Sequence, residues 1–245
     1  MIVEGKNPVK ELLKGSATIE KLYVQKNSAK PDPQLSYIVA RALERKIKVI
    51  YAEKELLDKL SVSGRHQGAL AVTTDFKYAD IKDILAADKA KGARLILVLD
   101  GIEDPHNLGA IIRVAECAGA NGIIIGKHRA AGVTDAVVKV SAGASAHVKI
   151  ARVTNINDAI RTLKDEFINI VAADMDGEPI YSAKPLRGDI ALVIGGEGEG
   201  VHALTKKLCD RVVSLPTLGK VNSLNASVAC GIALYEIIRQ RDLKV

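Results

Sequence analysis

Three loops contain the residues best suited to chemistry in this sequence of 245 residues, and each loop follows a short apolar segment. In the first loop, Asn107 is placed to cap a helical segment that also contains Arg113. An asparagine and an arginine on one helix face near its N-terminus can bind a phosphate or a ribose. A helix cap followed by a surface arginine explains the same residues equally well, so this loop alone leaves both interpretations open.

The second loop, Gly195-Gly196-Glu197-Gly198-Glu199-Gly200, combines glycines with two carboxylates. Residues 198–203 match a GxGxxA dinucleotide-binding pattern, but the two carboxylates would repel a pyrophosphate. Acidic groups beside glycines that permit close approach suit a sulfonium cation or a hydroxyl-rich nucleoside better. A nicotinamide-dependent oxidoreductase would also need a phosphate-binding loop and a ribose-binding acid, and we find neither, so we set that function aside.

The third loop runs from Pro216 to Ser227 and leads into an alanine-rich helical segment. It is dense in small polar side chains, although the helix that follows has an apolar face. Its backbone amides could hold the edge of an adenine, with Leu215 and Leu224 packing on the two faces of the base. A loop that ends in a capping asparagine or serine is the structural alternative.

Several classes of protein are excluded by what the sequence lacks. It contains no Ser-His-Asp set and no Walker lysine, and its five histidines have no metal-ligand spacing, so hydrolase and metalloenzyme functions have no support. Cys117, Cys209 and Cys230 are far apart without a CxxC pair, which predicts reduced thiols in a cytoplasmic protein. The N-terminal residues contain no apolar signal segment, and no apolar run has the length of a membrane span.

Alternating strand and helix patterns predict an α/β domain over 94–245 with a mostly parallel sheet and helices on both faces. In such sheets ligands bind outside the carboxyl ends of the strands, where the three loops are expected to lie. The predicted strands cover 95–99, 121–126, 168–173, 190–194 and 212–215, and the predicted helices cover 108–118, 134–140, 155–165, 202–208 and 224–241.

A smaller α/β domain is predicted over 1–76, joined to the rest by a linker over 77–93 that contains some helix and in which charged residues alternate with alanine. The domain holds 13 Lys and Arg against 9 Asp and Glu, a surplus of four within the chain's net charge of +6. That surplus favours an anionic partner only mildly. The predicted helices cover 8–14, 34–46 and 53–60, and the predicted strands cover 21–24, 47–51 and 69–72.

The three loops together resemble the three ordered motifs of the SpoU/TrmH family of RNA 2′-O-methyltransferases, in the SPOUT superfamily. Asn107-x-Gly109-x-x-x-Arg113 resembles motif 1, residues 194–200 resemble motif 2, and residues 215–227 resemble motif 3. The segments Gly5-Lys6-Asn7-Pro8-Val9 and His66-Gln67-Gly68 are similar to the ribosomal-protein-like substrate-binding domain of the RlmB-like branch. The resemblance therefore extends over nearly the whole chain.

The resemblance implies a C-terminal trefoil knot, S-adenosylmethionine bound in a bent form within it, and a homodimer with active sites near the interface. The knot is not implied by the strand and helix pattern, since untied connections are the default. Gly196 departs from the family, whose members often have Ala, Ser or Asn there, and we expect it to make the loop more flexible. By resemblance, the cofactor site is lined by Gly195, Leu215 and Leu224, and the reaction centre consists of Asn107, Arg113, Glu197, Ser223 and Asn225.

The function implied is S-adenosylmethionine-dependent methylation of a ribose 2′-hydroxyl, specifically of a guanosine in the peptidyl-transferase region of 23S rRNA. Because a guanidinium stays protonated in proteins, we expect Arg113 to bind the phosphate and polarise the hydroxyl, with Glu197 or a phosphate oxygen accepting the proton. The same chemistry on tRNA or on another rRNA site stays open. A non-catalytic RNA-binding protein that uses the basic domain is the alternative from another class.

Overall fold

A computed structural model describes residues 2–14, 18–26, 32–61, 63–73, 76–86, 92–182, 185–220 and 223–241. Its contacts divide the chain into two compact units, Met1–Phe76 and Lys77–Val245. Each unit is built around a sheet of its own, with four strands in the first and six in the second.

The first unit has helices on both faces of a small mixed sheet. Its strands are β1 (Ile2–Glu4), β2 (Ile19–Gln25), β3 (Lys48–Ala52) and β4 (Ala69–Thr73), and its helices are α1 (Lys6–Lys14), α2 (Pro33–Glu44) and α3 (Lys54–Leu60). The strand order is β1-β4-β2-β3, in which only β2 and β3 are parallel. Val9 of α1 and Ile38 of α2 pack with Leu22 on one face, while Leu57 of α3 packs with Leu70 on the other.

The two N-terminal segments singled out in the sequence meet in this unit. The Lys6 amide donates to Gln67 Oε1 over 3.2 Å, and the Gly5 amide donates to the Ala69 carbonyl over 3.0 Å. Gly5 and Gly68 have φ angles of +96° and +80°, which residues with a Cβ rarely adopt. The glycines of both segments are therefore required by the backbone path.

The second unit is a six-stranded sheet in which every pairing between strands is parallel. The expectation of an α/β fold with a mostly parallel sheet is confirmed. In the order β10-β8-β9-β5-β6-β7, the strands are β5 (Leu95–Asp100), β6 (Gly122–Gly126), β7 (Ile150–Val153), β8 (Asn169–Pro179), β9 (Ile190–Gly195) and β10 (Arg211–Ser214). The helices are α4 (Ile81–Leu85), α5 (Pro105–Cys117), α6 (Asp135–Val140), α7 (Ile156–Asp165), α8 (Ala203–Leu208) and α9 (Ala226–Gln240).

The central strands of this sheet are covered on both faces. All six residues of β5 are buried, as a continuous apolar run in a parallel sheet requires. On one face, Ile96 and Val98 of β5 pack with Ile160 and Leu163 of α7. Helices α5 and α9 contact each other, and both also contact strands of the sheet.

The segment predicted as a linker contains a helix that packs against the second unit. Ile84 of α4 is fully buried in the same core as Ile96, and Ala79 forms a β-bridge with Ala151. A Cβ at Gly122 would stand 2.6 Å from the Ile84 side chain, so that position needs glycine. Residues 77–86 belong to the second unit, and 87–91 lie outside the described residues.

The three loops singled out in the sequence follow the carboxyl ends of β5, β9 and β10, of which β5 and β9 are adjacent and β10 is separated from β9 by β8. Asp100, the last residue of β5, pairs with Gly195, the last residue of β9. Strand β8 pairs with β10 up to Ala172 and with β9 up to Ala173, and the pairing with β10 resumes only at Glu178, so 174–177 bulge away from the sheet. These loops and the bulge form one edge of the sheet. None of the helices in the described part of the chain is both long and apolar enough to cross a membrane.

Candidate active site

The loop after β9 is held tightly by close backbone approaches. The Gly196 amide donates to the Asp100 carbonyl over 2.9 Å, and the Gly200 amide donates to the Gly196 carbonyl over 3.2 Å. A Cβ at Gly195 would overlap the backbone of Gly200, and one at Gly196 would overlap the carbonyl of Gly101. Gly196 was expected only to loosen this loop, but the structure gives it a packing role against the loop after β5.

A first cavity of about 350 Å³ opens beside this loop. It is formed by the bulge of β8, the loop after β9, the loop after β10 and the start of α9. Six of the predicted site residues line it together: Gly195, Glu197, Leu215, Ser223, Leu224 and Asn225. Sequence reasoning missed three further lining residues, namely Ala173 at the end of the paired part of β8 and Asp174 and Met175 in its bulge.

The side chain of Asn107 connects the first loop to the other two through hydrogen bonds. Asn107 is buried, with 6% of its surface exposed. Asn225 Nδ2 donates to Asn107 Oδ1 over 2.9 Å, and Asn107 Nδ2 donates to Glu197 Oε1. Asn225 is itself fixed as the N-cap of α9, where its Oδ1 accepts from the amides of Ser227 and Val228. The three side chains thus form one chain of oriented hydrogen bonds.

The expectation that Asn107 caps its helix was wrong. Helix α5 begins at Pro105, and its N-cap is Asp104, whose side chain accepts from the amides of His106 and Asn107. Asp-Pro is itself a helix-start signal, since proline suits the first helical position. Asn107 lies inside the helix, which leaves its side-chain amide available to Glu197 and Asn225.

Arg113 lies on the exposed side of α5 and lines neither this cavity nor the one described next. At about 100° per residue, it is rotated by roughly 120° from Asn107 around the helix axis. The prediction that the two side chains share one helix face was therefore wrong. The structure does not bring Arg113 to the other predicted reaction-centre residues within one chain.

A second cavity, of about 480 Å³, lies on the other side of the loop after β9. The two cavities share Gly196, Glu197, Glu199 and Gly200. The remaining lining of the second cavity comes from the loops after β5 and β6 and from the start of α8: Asp100, Gly101, Ile102, Glu103, Asp104, Asn107, Arg129 and His202. The Asn225–Asn107–Glu197 chain therefore lies where the two cavities adjoin.

Asp174 connects the bulge of β8 to the glycine loop. Its Oδ2 accepts from the Val201 amide over 3.0 Å, and its Oδ1 lies 2.9 Å from Lys206 Nζ. Burial alone would raise the pKa of Asp174, but the hydrogen bonds from Lys206 and the Val201 amide outweigh it and hold that pKa below its usual range. The carboxylate is therefore charged at neutral pH beside the first cavity.

Burial keeps two of the three cysteine thiols in their protonated form. Burial raises the pKa of the Cys230 thiol to about 12 and that of Cys209 to about 11, so both thiols are protonated at neutral pH. Within the ranges that the structure describes, no group of three or more His, Cys, Asp and Glu side chains is placed to hold a metal ion.

The first cavity fits a nucleoside cofactor with a positive charge. Leu215 and Leu224 provide apolar surface, Glu197 and Glu199 provide negative charge, and the glycines allow close approach to the backbone. Its volume lies in the range of about 300–1,000 Å³ that small-molecule sites occupy. Fold and site together are those of an α/β enzyme with a nucleoside-cofactor pocket at the carboxyl edge of its sheet.

Comparisons with known proteins extend this assignment. Residues 94–235 match the SpoU rRNA Methylase family, and residues 2–79 match the RNA 2′-O ribose methyltransferase substrate-binding family. The chain is 40% identical over 241 residues to a TrmH family tRNA/rRNA methyltransferase of Bacillus subtilis, covering 98% of this chain and 96% of that relative.

Two solved structures share the fold. The S-adenosylmethionine-bound rRNA methyltransferase of Sinorhizobium meliloti is 25% identical with a TM-score of 0.59, covering 97% of this chain and 86% of that one. The SpoU methyltransferase AviRb of Streptomyces viridochromogenes in complex with S-adenosylmethionine has a TM-score of 0.62 at 23% identity, covering 98% and 90%. This chain belongs to the SpoU/TrmH family of S-adenosylmethionine-dependent RNA methyltransferases, and S-adenosylmethionine is the cofactor of that family.

Proposed function

We propose that this protein methylates a ribose 2′-hydroxyl of RNA, and that its target is a guanosine in the peptidyl-transferase region of 23S rRNA. The observation that supports this most is the hydrogen-bonded chain of Asn225, Asn107 and Glu197 between two adjoining cavities. One cavity suits the methyl donor, and the other is open to an acceptor.

In this proposal the first cavity holds S-adenosylmethionine, which supplies an electrophilic methyl group on a sulfonium. Leu215 and Leu224 contact the adenine, and Gly195 permits close approach of the backbone. The carboxylates of Glu197 and Glu199 stabilise the positive charge near the sulfur. The bulge residue Asp174 adds a further negative charge at the same wall.

The acceptor ribose approaches from the second cavity. Asn107 and Asn225 hold the Glu197 carboxylate in one orientation, and Ser223 contributes a hydroxyl on the donor side. Because a ribose hydroxyl is a poor nucleophile near neutral pH, most of the rate must come from alignment of this oxygen with the methyl group. Good alignment of two reactants can lower a barrier by about 7–11 kcal/mol.

A homodimer completes the site in this proposal. Val228, Ile232 and Tyr235 of α9 are exposed at a spacing that places them on one helix face, next to the exposed Leu224. Helix α5 contacts α9, and Arg113 lies on the exposed side of α5. A second copy seated on the α9 face would bring one protomer's Arg113 toward its partner's site, where a guanidinium can bind phosphate.

The RNA target and the C-terminal knot are further parts of the proposal. The surplus of four positive charges over 1–76 supports contact with folded RNA through phosphates, and such binding should weaken as salt rises. The meeting of the loops after β8, β9 and β10 around one cavity supports a trefoil knot that holds the cofactor. Free cysteines and an rRNA substrate both support a cytoplasmic location.

The test is to map 2′-O-methyl groups in rRNA and tRNA from cells that lack the protein. We expect one guanosine in the peptidyl-transferase region of 23S rRNA to lose its methyl group. Loss of a methyl group from a tRNA or from another rRNA position would support 2′-O-methylation and assign a different target. If no methyl group is lost and calorimetry detects no binding of S-adenosylmethionine, the protein is a non-catalytic RNA-binding protein instead.

A further inference from the structure

Asp100 and His202 form a paired carboxylate and imidazole at the wall of the second cavity. Asp100 is the last residue of β5 and is only 6% exposed. Its Oδ1 lies 2.9 Å from His202 Nδ1, and its Oδ2 accepts from the His202 amide over 3.0 Å. Both carboxylate oxygens therefore contact one residue, which fixes the imidazole in position and makes Nδ1 the hydrogen-bonding nitrogen.

The second imidazole nitrogen is accessible. The His202 side chain is 41% exposed, and it lines the second cavity together with Asn107 and Glu197. Nε2 has the Glu199 carboxylate at 3.7 Å, beyond hydrogen-bond distance. A histidine whose Nδ1 donates to a buried carboxylate presents an unprotonated Nε2 as a base, which is the arrangement of general bases in many enzymes.

A purely structural role accounts for only part of this arrangement. His202 precedes α8, and a carboxylate that accepts from its backbone amide would be sufficient to stabilise the start of that helix. The contact between Asp100 and Nδ1 is additional, and it requires a side chain at position 202 that can donate a hydrogen bond. Glu197, the other candidate base in the cavity, already accepts a hydrogen bond from Asn107.

We propose that His202, oriented by Asp100, is the residue that accepts the proton of the 2′-hydroxyl. This inference rests on the proposed function. The O–H bond breaks and its proton goes to Nε2 of His202, while an oxygen electron pair forms the new bond to the methyl carbon. The electron pair of the broken carbon–sulfur bond stays on sulfur. Asp100 stabilises the imidazolium, which then releases its proton to water from its exposed edge.

Other charged groups also face His202 and belong to its pH dependence. Carboxylates outnumber cations among them. From the ends of β5, β6 and β8, the loops after β5 and β9, and α8, these groups are Asp100, Glu103, Asp104, Glu197, Glu199, Asp176, Arg129, Lys206 and Lys207.

The first test measures contact with substrate without any turnover. The full-length protein is treated with diethyl pyrocarbonate, which modifies accessible imidazoles. The treatment is carried out with and without rRNA from cells that lack the protein. Mass spectrometry reports each histidine separately. We expect the rRNA to protect His202 at least about threefold and to leave the exposed His147, which lines neither cavity, unchanged. Equal modification of His202 with and without rRNA would overturn the proposal.

The second test compares the pH dependence of kcat for His202→Gln, Glu197→Gln and the control His147→Gln. General bases typically contribute about 100- to 10,000-fold, so His202→Gln should lower kcat at least about 100-fold. It should also remove the decline of kcat on the acidic side, while calorimetry shows the parental Kd for S-adenosylmethionine. If Glu197→Gln removes that decline and His202→Gln does not, Glu197 is the acceptor. A parental protein that transfers no methyl group would contradict the proposed function, whereas the protection experiment still decides whether His202 meets RNA.

Discussion

Asn107 shows how a single side chain can determine the geometry of a site. Its amide uses both of its polar groups, accepting from Asn225 and donating to Glu197, and it does so while buried. A buried polar group without a hydrogen-bond partner costs about 1–3 kcal/mol. An amide at this position supplies both the acceptor for Asn225 and the donor for Glu197, so neither partner is left unpaired. The orientation of Glu197 therefore depends on two residues from distant parts of the sequence.

Asn107→Asp is expected to break this pattern at one point. The new carboxylate still accepts from Asn225 but faces the Glu197 carboxylate without a donor, so the two charges repel. We expect a loss of about 1–3 kcal/mol in the free energy of unfolding and a fall of roughly 100-fold in kcat, as for the loss of a preorganised donor. Denaturant unfolding and methyl incorporation into rRNA measure the two effects.

The matched control is Asn155→Asp, at the exposed N-cap of α7. Aspartate and asparagine cap helices about equally well, so neither stability nor kcat should change appreciably. Equal behaviour of Asn107→Asp and Asn155→Asp would mean that the bonds of Asn107 have no role in catalysis.

Gly195→Ala tests the close approach inside the glycine loop. Its Cβ would overlap the Gly200 backbone, so the loop must shift at the wall of the first cavity. Overpacking of this kind costs about 1–3 kcal/mol, and we expect the Kd for S-adenosylmethionine to rise by about tenfold or more in calorimetry. Gly219→Ala is the control, since no atom lies within 4 Å of its Cβ position. Parental affinity in both variants would show that this loop does not shape the cofactor site.

Among the helices and strands, the sequence predicted those that have a long or uniformly apolar pattern. The buried runs of β5 and β9 and the periodic helix α2 fall where they were expected. The short strands β1 and β7 were missed because three or four residues with mixed burial show no period, and their pairing partners are distant in sequence. Some helix was predicted within 77–93, where α4 lies, but its bounds could not be given because only Ile84 of its five residues is fully buried.

The site residues that lie in contiguous sequence motifs could be predicted, whereas the residues that only folding brings together could not. Gly195, Leu215 and Asn225 belong to loops with a recognisable composition, and they line one cavity. The Asp100–His202 pair joins residues 102 positions apart. Asp174 directly follows the strand predicted over 168–173 and was not recognised, because the bulge of β8 is visible only in its pairing with β10.

The bulge of β8 supports the glycine loop through Asp174, and Asp174→Asn tests this support. The amide can still accept from Val201, but it offers a donor to the Lys206 ammonium and loses the ion pair. We expect the Kd for S-adenosylmethionine to rise roughly tenfold, which corresponds to about 1.4 kcal/mol. Asp176→Asn is the matched control, because Asp176 also pairs with Lys206 but has an exposed side chain and does not line the first cavity. A similar rise in both variants would assign the effect to Lys206 alone.

The same pair of variants should differ in their dependence on pH. The pKa of Asp174 in the folded protein lies below its ordinary value of 3.8, so its contribution to stability is complete above that value and is lost as pH falls through the lower folded pKa. The difference in unfolding free energy between the parental protein and Asp174→Asn should therefore be constant from pH 5 to 7 and decrease below about pH 4. A difference that stays unchanged down to pH 2 would contradict a charged Asp174.

At the scale of the whole molecule, two features of the second unit remain unexplained by a single chain. The apolar face formed by Val228, Ile232 and Tyr235 is exposed on α9. Arg113 is exposed on α5, which contacts α9, and it lines neither cavity. A symmetric dimer through α9 accounts for both, since the same patch on each copy would be covered. Ile232→Asp should then shift the protein from dimer to monomer in sedimentation, and Val138→Asp, an exposed position on α6, should not.

Mixing two inactive variants tests whether Arg113 acts on its partner's site. In a heterodimer of Arg113→Ala and Glu197→Gln protomers, action between protomers leaves one complete site, in which the intact Arg113 of one copy meets the intact Glu197 of the other. Random reassociation makes half of the dimers mixed, so activity should recover to roughly a quarter of the parental value for a twofold-symmetric dimer. Action within one protomer leaves every site damaged, and no activity returns. The activity of the mixture therefore distinguishes the two arrangements, and each variant alone provides the baseline.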